Sequence, residues 1–156
     1  MNNDLTKIKA LFKSQLEKHS SLAKSTHNDR KQKLKRLLDN FLAMEQEAVD
    51  ALSLDMKKSP TESIISEILG VKAEADFAIK NLKKWMKSKR VPSPSTILFT
   101  SGWVRPEPKG SILILSPWNY PILLCLNPLI AAIAAGNTAI IKPVSYTHLR
   151  AHETLL

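Results

Sequence analysis

No charged residue occurs between Lys109 and Lys142, in a chain of 156 residues with a formal net charge of +9. A run this apolar belongs either in a membrane or in a protein core. A bilayer span needs about 20 uninterrupted apolar residues, and Pro117, Asn119, Pro121, Asn127 and Pro128 break this one. It parses instead as strand, turn, helix, strand. Ser111–Leu115 is a short run expected to be buried on both faces, as strands of parallel sheets are. Ser116–Pro121 forms a turn at its carboxyl end. Ile122–Ala135, rich in Leu and Ala, reads as a helix closed by Gly136 and Asn137. Pro128 within it predicts a kink, or a start delayed to about Asn127. Thr138–Ile141 reads as a second buried strand. This is a βαβ unit, and such units belong to parallel α/β sheets.

The remainder of the chain is a different kind of polypeptide. Residues 1–90 hold 19 of the 23 Lys and Arg and 12 of the 14 Asp and Glu, whereas eight of the nine prolines lie beyond them. The charged part has helical periodicity. Leu34, Leu37, Leu38, Phe41, Leu42, Ala48, Val49 and Leu52 recur at three and four, predicting one amphipathic helix. Ser59-Pro60-Thr61-Glu62 is a helix start, with a capping serine, a first-turn proline and a glutamate placed for a capping box. The stripe Ile64, Ile68, Val71, Ala75, Ile79, Leu82 and Met86 follows it. A shorter helix is expected over Leu5–Glu17. The two long helices, joined through Leu54–Ser59, form a hairpin.

Val91-Pro92-Ser93-Pro94-Ser95 ends the helices, since two prolines in three residues forbid them. Thr96–Val104 is a strand or an extended arm, and Arg105–Gly110 is rich in turns. The organisation expected is therefore a helical region over 1–90, an extended connector over 91–110, a βαβ unit over 111–143, and a tail over 144–156. The single cysteine, Cys125, excludes an internal disulfide framework and a cysteine-built zinc site. A reducing, cytoplasmic setting follows, and the amino terminus lacks the apolar segment of a secretory signal.

In an open parallel sheet ligands collect beyond the carboxyl ends of the strands. There Ser116–Pro121 offers the flat ring of Trp118 and the side-chain amide of Asn119, and the second strand offers Lys142 at its tip. A donor, an aromatic face and a cation at one edge suit an anionic or nucleotide-like ligand. The competing account packs Trp118 in the core and leaves Lys142 solvated. Without a glycine-rich phosphate loop, the residues alone leave both open.

PKGSILILSPWNYPILLCLNPLIAAIAAGNTAIIKP closely resembles the start of the cofactor-binding domain of aldehyde dehydrogenases. The order PWNYP, a Pro-Leu helix, AAGNT and a strand ending in KP carries the likeness. DMKKSPTES, a helix ending in KKWMK, and RPEPKG resemble the amino-terminal helices of the branch that oxidises fatty and aromatic aldehydes. The resemblance implies an α/β fold: an N-terminal helical hairpin leading into the start of a Rossmann-like, parallel-sheet NAD(P)-binding domain, truncated here. It implies that Asn119 is the oxyanion-hole asparagine, donating to a carbonyl oxygen as a thiolate attacks. Lys142 matches the lysine that binds adenosine-ribose hydroxyls, and Ser116, Pro117 and Trp118 match the turn lining the dinucleotide. The reaction implied is oxidation of an aldehyde to an acid with NAD or NADP, through a thiohemiacetal and a thioester.

The departures are as informative. The family's catalytic cysteine, its general-base glutamate in a Leu-Glu-Leu-Gly-Gly context and its later glycine motif are absent from these 156 residues. Cys125 is no substitute, for it sits in an apolar stretch with nothing nearby to lower its pKa. The family continues from Lys-Pro with serine or alanine and then glutamate, where this chain has Val144 and Ser145. Val144–Thr154 is similar to the conceptual translation of a sequencing-library adapter, which places the end of the enzyme-like sequence at Pro143. His148 and His152, one helical turn apart and beside Glu153, imitate a metal pair, but a zinc site needs a third ligand. No metal is expected.

The expectation is thus an inactive fragment of a longer, cytoplasmic enzyme. The parent would take an aldehyde substrate, form a homodimer and associate weakly with membrane surfaces. The basic clusters Arg30–Arg36 and Lys80–Arg90 have acidic residues interleaved and no nucleic-acid motif beside them, so solvated helix faces are expected rather than nucleic-acid binding. The alternative is a non-catalytic basic helical module that binds an anionic surface, with the βαβ unit as its support.

Overall fold

A computed structural model of the chain describes residues 2–97 and 99–143. The tail from Val144, expected to be adapter-derived, lies with His148, His152 and Glu153 outside the described residues. The first helix, α1 (Asn2–Ala23), is longer than the Leu5–Glu17 expected, for no glycine or proline interrupts it. α2 (His27–Ala43) opens on a capping box. Thr26 Oγ1 accepts from the Asp29 N–H at 3.2 Å, and the Thr26 N–H donates to Asp29 Oδ2 at 2.8 Å.

The single helix expected through Leu52 is in fact two. Met44, at φ −102° and ψ 15°, separates α2 from α3 (Glu45–Met56). Its N–H bonds Phe41 O at 3.0 Å, three residues back, and the regular ladder resumes from Ala48 N to Met44 O at 2.9 Å. Leu34, Leu38, Val49 and Leu52 are buried on either side of this break. The apolar spacing passes through it undisturbed, which is why the periodicity concealed it.

Ser59 caps α4 (Pro60–Ser63) as expected, its Oγ accepting from the Glu62 N–H at 3.2 Å. A π-helical turn, Ile64–Ile68, continues the path into α5 (Leu69–Trp85), with the Leu69 N–H bonded to Ile64 O five residues back. Ile68, Val71, Ala75 and Leu82 of the expected stripe are buried, joined by Ala78; Ile64, Ile79 and Met86 are half-buried. Helix ends at Trp85 rather than Arg90. Lys89–Val91 is instead a strand, β1, antiparallel to β2 (Gly102–Val104), with Lys89 opposite Val104. Among the described residues of the stretch Thr96–Val104, only β2 is strand.

β3 (Ser111–Ser116) and β4 (Thr138–Pro143) are parallel, with Ser111 opposite Thr138, and α6 (Leu123–Ala135) crosses between them. The fold is α/β, mostly helical, with the βαβ unit at its carboxyl end. α6 begins at Leu123, so Pro128 lies inside it rather than opening it. Gly136, at φ 84°, ends it in the left-handed conformation that favours glycine. Asn137 then ties the unit together: its Oδ1 accepts from the Gly110 N–H at 2.9 Å, and Thr138 N donates to Gly110 O at 3.0 Å.

The core lies among α2, α5 and α6, around Leu34, Leu38, Val71, Leu82 and Ile130. At Gly70 the helices α5 and α6 approach so closely that a Cβ would lie 2.5 Å from Leu123 Cδ1. The expectation that β3 is buried on both faces is not met. Ile114 is buried, whereas Leu113 and Leu115 are 62% and 64% exposed, because alternate side chains of a strand leave by opposite faces. Arg30 also departs from the solvated cluster expected of it. It is buried, and its guanidinium donates from Nη1 to Ala134 O at 3.1 Å and from Nε to Ser25 Oγ at 2.9 Å. Burial pushes its pKa down from the usual value, yet an arginine stays charged at neutral pH. It thus places a cation on the carboxyl end of α6, where the helix dipole favours one. Among the described residues no helix is long and apolar enough to cross a membrane.

Candidate functional site

The parallel register puts the carboxyl ends of β3 and β4 side by side, Ser116 opposite Pro143 and Leu115 opposite Lys142. The turn after β3 and the tip of β4 therefore share one edge. Pro117, Trp118, Asn119 and Lys142 are exposed there, and the indole of Trp118 is on the surface rather than in the core. Ser116 differs. Its side chain is buried beside Ile114, with an unpartnered Oγ, while Lys142 shares the opposite face with Leu115. The pleat thus sends the Ser116 and Lys142 side chains to different sides of the sheet, and Ser116 meets the edge through its backbone.

Two residues that the sequence reading passed over hold this turn. Glu67, in the π-helical turn, is fully buried, and Lys58, in the link between α3 and α4, is 8% exposed. Their ion pair is 2.5 Å from Nζ to Oε1. The other Glu67 oxygen accepts from the backbone N–H groups of Ile122 at 2.8 Å and Leu123 at 3.2 Å. Lys58 donates to the Asn119 carbonyl at 3.0 Å and stands 4.2 Å from the centre of the Tyr120 ring. A signal was present in the sequence: Glu67 is a carboxylate set in the apolar run Ile64–Leu69, four residues before the core Val71.

Cys125 is half-buried on α6 and free. Among the described residues no cluster of His, Cys, Asp and Glu could hold a metal ion. A cavity of about 1220 Å³ opens elsewhere, between α1, α2, α5 and α6, lined by residues that include His19, Arg30, Glu74 and Trp85. Neither Asn119 nor Lys142 lines it. The donor set at those ends fits a dinucleotide. An exposed ammonium can meet ribose hydroxyls, and an exposed indole and proline ring give apolar walls to a flat ligand.

Residues 2–155 match the aldehyde dehydrogenase family. The 4,4'-diaponeurosporen-aldehyde dehydrogenase of Staphylococcus aureus is 40% identical over 139 residues, 89% of this chain and 29% of that protein. Aldehyde dehydrogenase family 3 member B1 of Rattus norvegicus is 46% identical over 107 residues, 68% of this chain and 23% of that protein. Among solved structures, the substrate-bound state of Staphylococcus aureus AldH superposes with a TM-score of 0.84 at 35% identity, covering 96% of this chain and 33% of that one. The chain thus spans a third or less of the length of these relatives. With the PWNYP turn and the Lys-Pro strand tip meeting at one sheet edge, the chain belongs to the aldehyde dehydrogenase family.

Proposed function

We propose that this chain supplies the oxyanion donor and part of the dinucleotide site of an enzyme that oxidises aldehydes to carboxylic acids. The observation that carries this reading is the shared edge: Asn119 and Lys142 stand exposed at the adjacent carboxyl ends of β3 and β4. Overall, an aldehyde, water and NAD+ or NADP+ give a carboxylic acid, the reduced dinucleotide and a proton. The bound dinucleotide supplies the hydride acceptor. Asn119 donates its side-chain amide to the substrate oxygen as a cysteine thiolate adds to the carbonyl carbon, where negative charge develops. A donor fixed in place before the reaction stabilises that charge without reorganising. Lys142 binds ribose hydroxyls, while Pro117 and Trp118 wall the dinucleotide, keeping it beside the turn that carries Asn119.

On this reading the thiolate lies outside these residues and is not Cys125, which is half-buried among the apolar residues of α6. These residues alone therefore turn over no aldehyde. The test is to read the encoding gene through Pro143 and assay its complete product, following NAD+ and NADP+ reduction with fatty and aromatic aldehydes. Turnover is expected, and Asn119→Ala should lower kcat by about 10²–10³-fold, the loss typical of one oxyanion donor. A product without aldehyde-dependent reduction, or one indifferent to Asn119→Ala, overturns the proposal.

A further inference from the structure

The PWNYP turn leaves β3 with little to hold it. Pro117 and Pro121 donate no hydrogen bonds, and Pro117 through Tyr120 are exposed. An oxyanion donor on such a segment acts only if something else sets its direction, since a donor displaced by an ångström forfeits most of its effect.

Glu67 and Lys58 are built for that task. Glu67 spends one oxygen on Lys58 and the other on two successive N–H groups, those of Ile122 and Leu123. The Leu123 donor is the first residue of α6, and the carboxylate caps that end, where the first N–H groups have no helical partner. α6 has no side-chain cap of its own, so a residue 55 positions away in sequence supplies it. Lys58 takes the other side of the turn, bonding the Asn119 carbonyl and lying over the Tyr120 ring. The turn is therefore held on both sides of Pro121.

The π-helical turn explains how the carboxylate arrives. A π turn accommodates one extra residue and shifts the helix phase, and such turns recur at functional sites. Here both Glu67 and its neighbour Ile68 are buried. Ile68 enters the core and Glu67 points at the turn. Stability alone does not account for the arrangement. A buried ion pair roughly offsets its own desolvation, and apolar residues of similar size often serve as well. What an apolar pair would not do is fix the backbone on both sides of Pro121.

We propose that Lys58 and Glu67 are positioning residues, which set the direction of the Asn119 side chain by clamping the backbone from Asn119 to Leu123. This rests on the proposed role of Asn119, and the tests separate the two. First, in the present chain, the Ile122 and Leu123 amides should exchange with deuterium far more slowly than those of Pro-flanked Trp118 and Asn119. Equal exchange in the unaltered chain overturns the clamp without any variant. Second, Lys58→Met should shift the Asn119 side-chain NH2 resonances while the amides of Val71 and Leu82 keep their protection. Unmoved resonances overturn the proposal. Should Lys58→Met disturb Val71 and Leu82 as well, Lys58→Arg, which keeps the cation, is expected to return both that protection and the Asn119 resonances toward the parent; protection restored with the Asn119 resonances still displaced overturns the proposal.

Third, in the complete gene product, Lys58→Met and Glu67→Gln should each lower kcat about tenfold or more, while KM for the dinucleotide stays within about twofold, as expected when only transition-state contacts are lost. Combined with Asn119→Ala they should lower it no further, because clamp and donor act as one unit. Full kcat in both variants, with Asn119→Ala impaired, overturns the clamp and spares the role of Asn119. An unimpaired Asn119→Ala overturns that role, and the positioning proposal with it.

Discussion

Gly136 and Arg30 show how one position can depend on another far away in sequence. Gly136 has φ 84°, and a Cβ built there would stand 2.4 Å from the Arg30 guanidinium carbon. Gly136→Ala therefore meets two penalties: a left-handed backbone that an L side chain resists, and displacement of a buried guanidinium from its bond to Ala134 O. Together these should cost about 1–3 kcal/mol, read as a lower urea midpoint. In an Arg30→Ala background the same substitution should cost less, since the clash is gone and strain alone remains. Equal costs in both backgrounds would show that the contact contributes nothing. The glycine as a helix terminator was legible from the sequence, because Gly after a Leu- and Ala-rich run is a local signal. Its second role was not, because the partner lies 106 residues earlier and looked like one cation in a solvated cluster.

At the level of single elements, the start of α2 depends on pH in a defined direction. The Asp29 carboxyl is held below its usual 3.8, first by the Thr26 side-chain hydroxyl and then by the Thr26 backbone N–H. A carboxylate whose folded pKa is depressed stabilises the fold above its unfolded value and loses that contribution as pH falls through the folded one. Acidification below about pH 3.8 should thus fray α2 from Thr26 onward. Asn in place of Asp29 should remove that part of the pH dependence, measured by exchange of the α2 amides. If the Asp29→Asn chain titrates like the parent, the capping carboxylate is not the cause. This cap obeys the same Thr/Ser-x-x-acid pattern that marked Ser59, so it could have been read from sequence. The break at Met44 could not, since the apolar face of α2 and α3 keeps one spacing across it.

For the whole molecule the decisive feature is the sheet. Two parallel strands, covered on one face by α6, leave Leu113 and Leu115 largely exposed. A two-stranded sheet also has unpaired backbone groups on its edges, which attract further strands. The chain should therefore self-associate with rising concentration, and Leu113→Thr with Leu115→Thr should weaken the association while retaining strand propensity. Sedimentation velocity distinguishes the outcomes, and a parent chain monomeric at every concentration would count against the exposed face as the cause. By itself the sequence determined the order strand, turn, helix, strand, the cap at Ser59, the glycine stop of α6 and the family resemblance carried by PWNYP and the Lys-Pro tip. All of these are local, written within a few residues of where they act. Only the tertiary structure decided that β3 has one open face, that Arg30 is buried against α6, and that Lys58 and Glu67 grip the turn bearing Asn119. The last of these joins residues 61 positions apart, and periodicity records which face of an element is apolar without recording which distant backbone that face will meet.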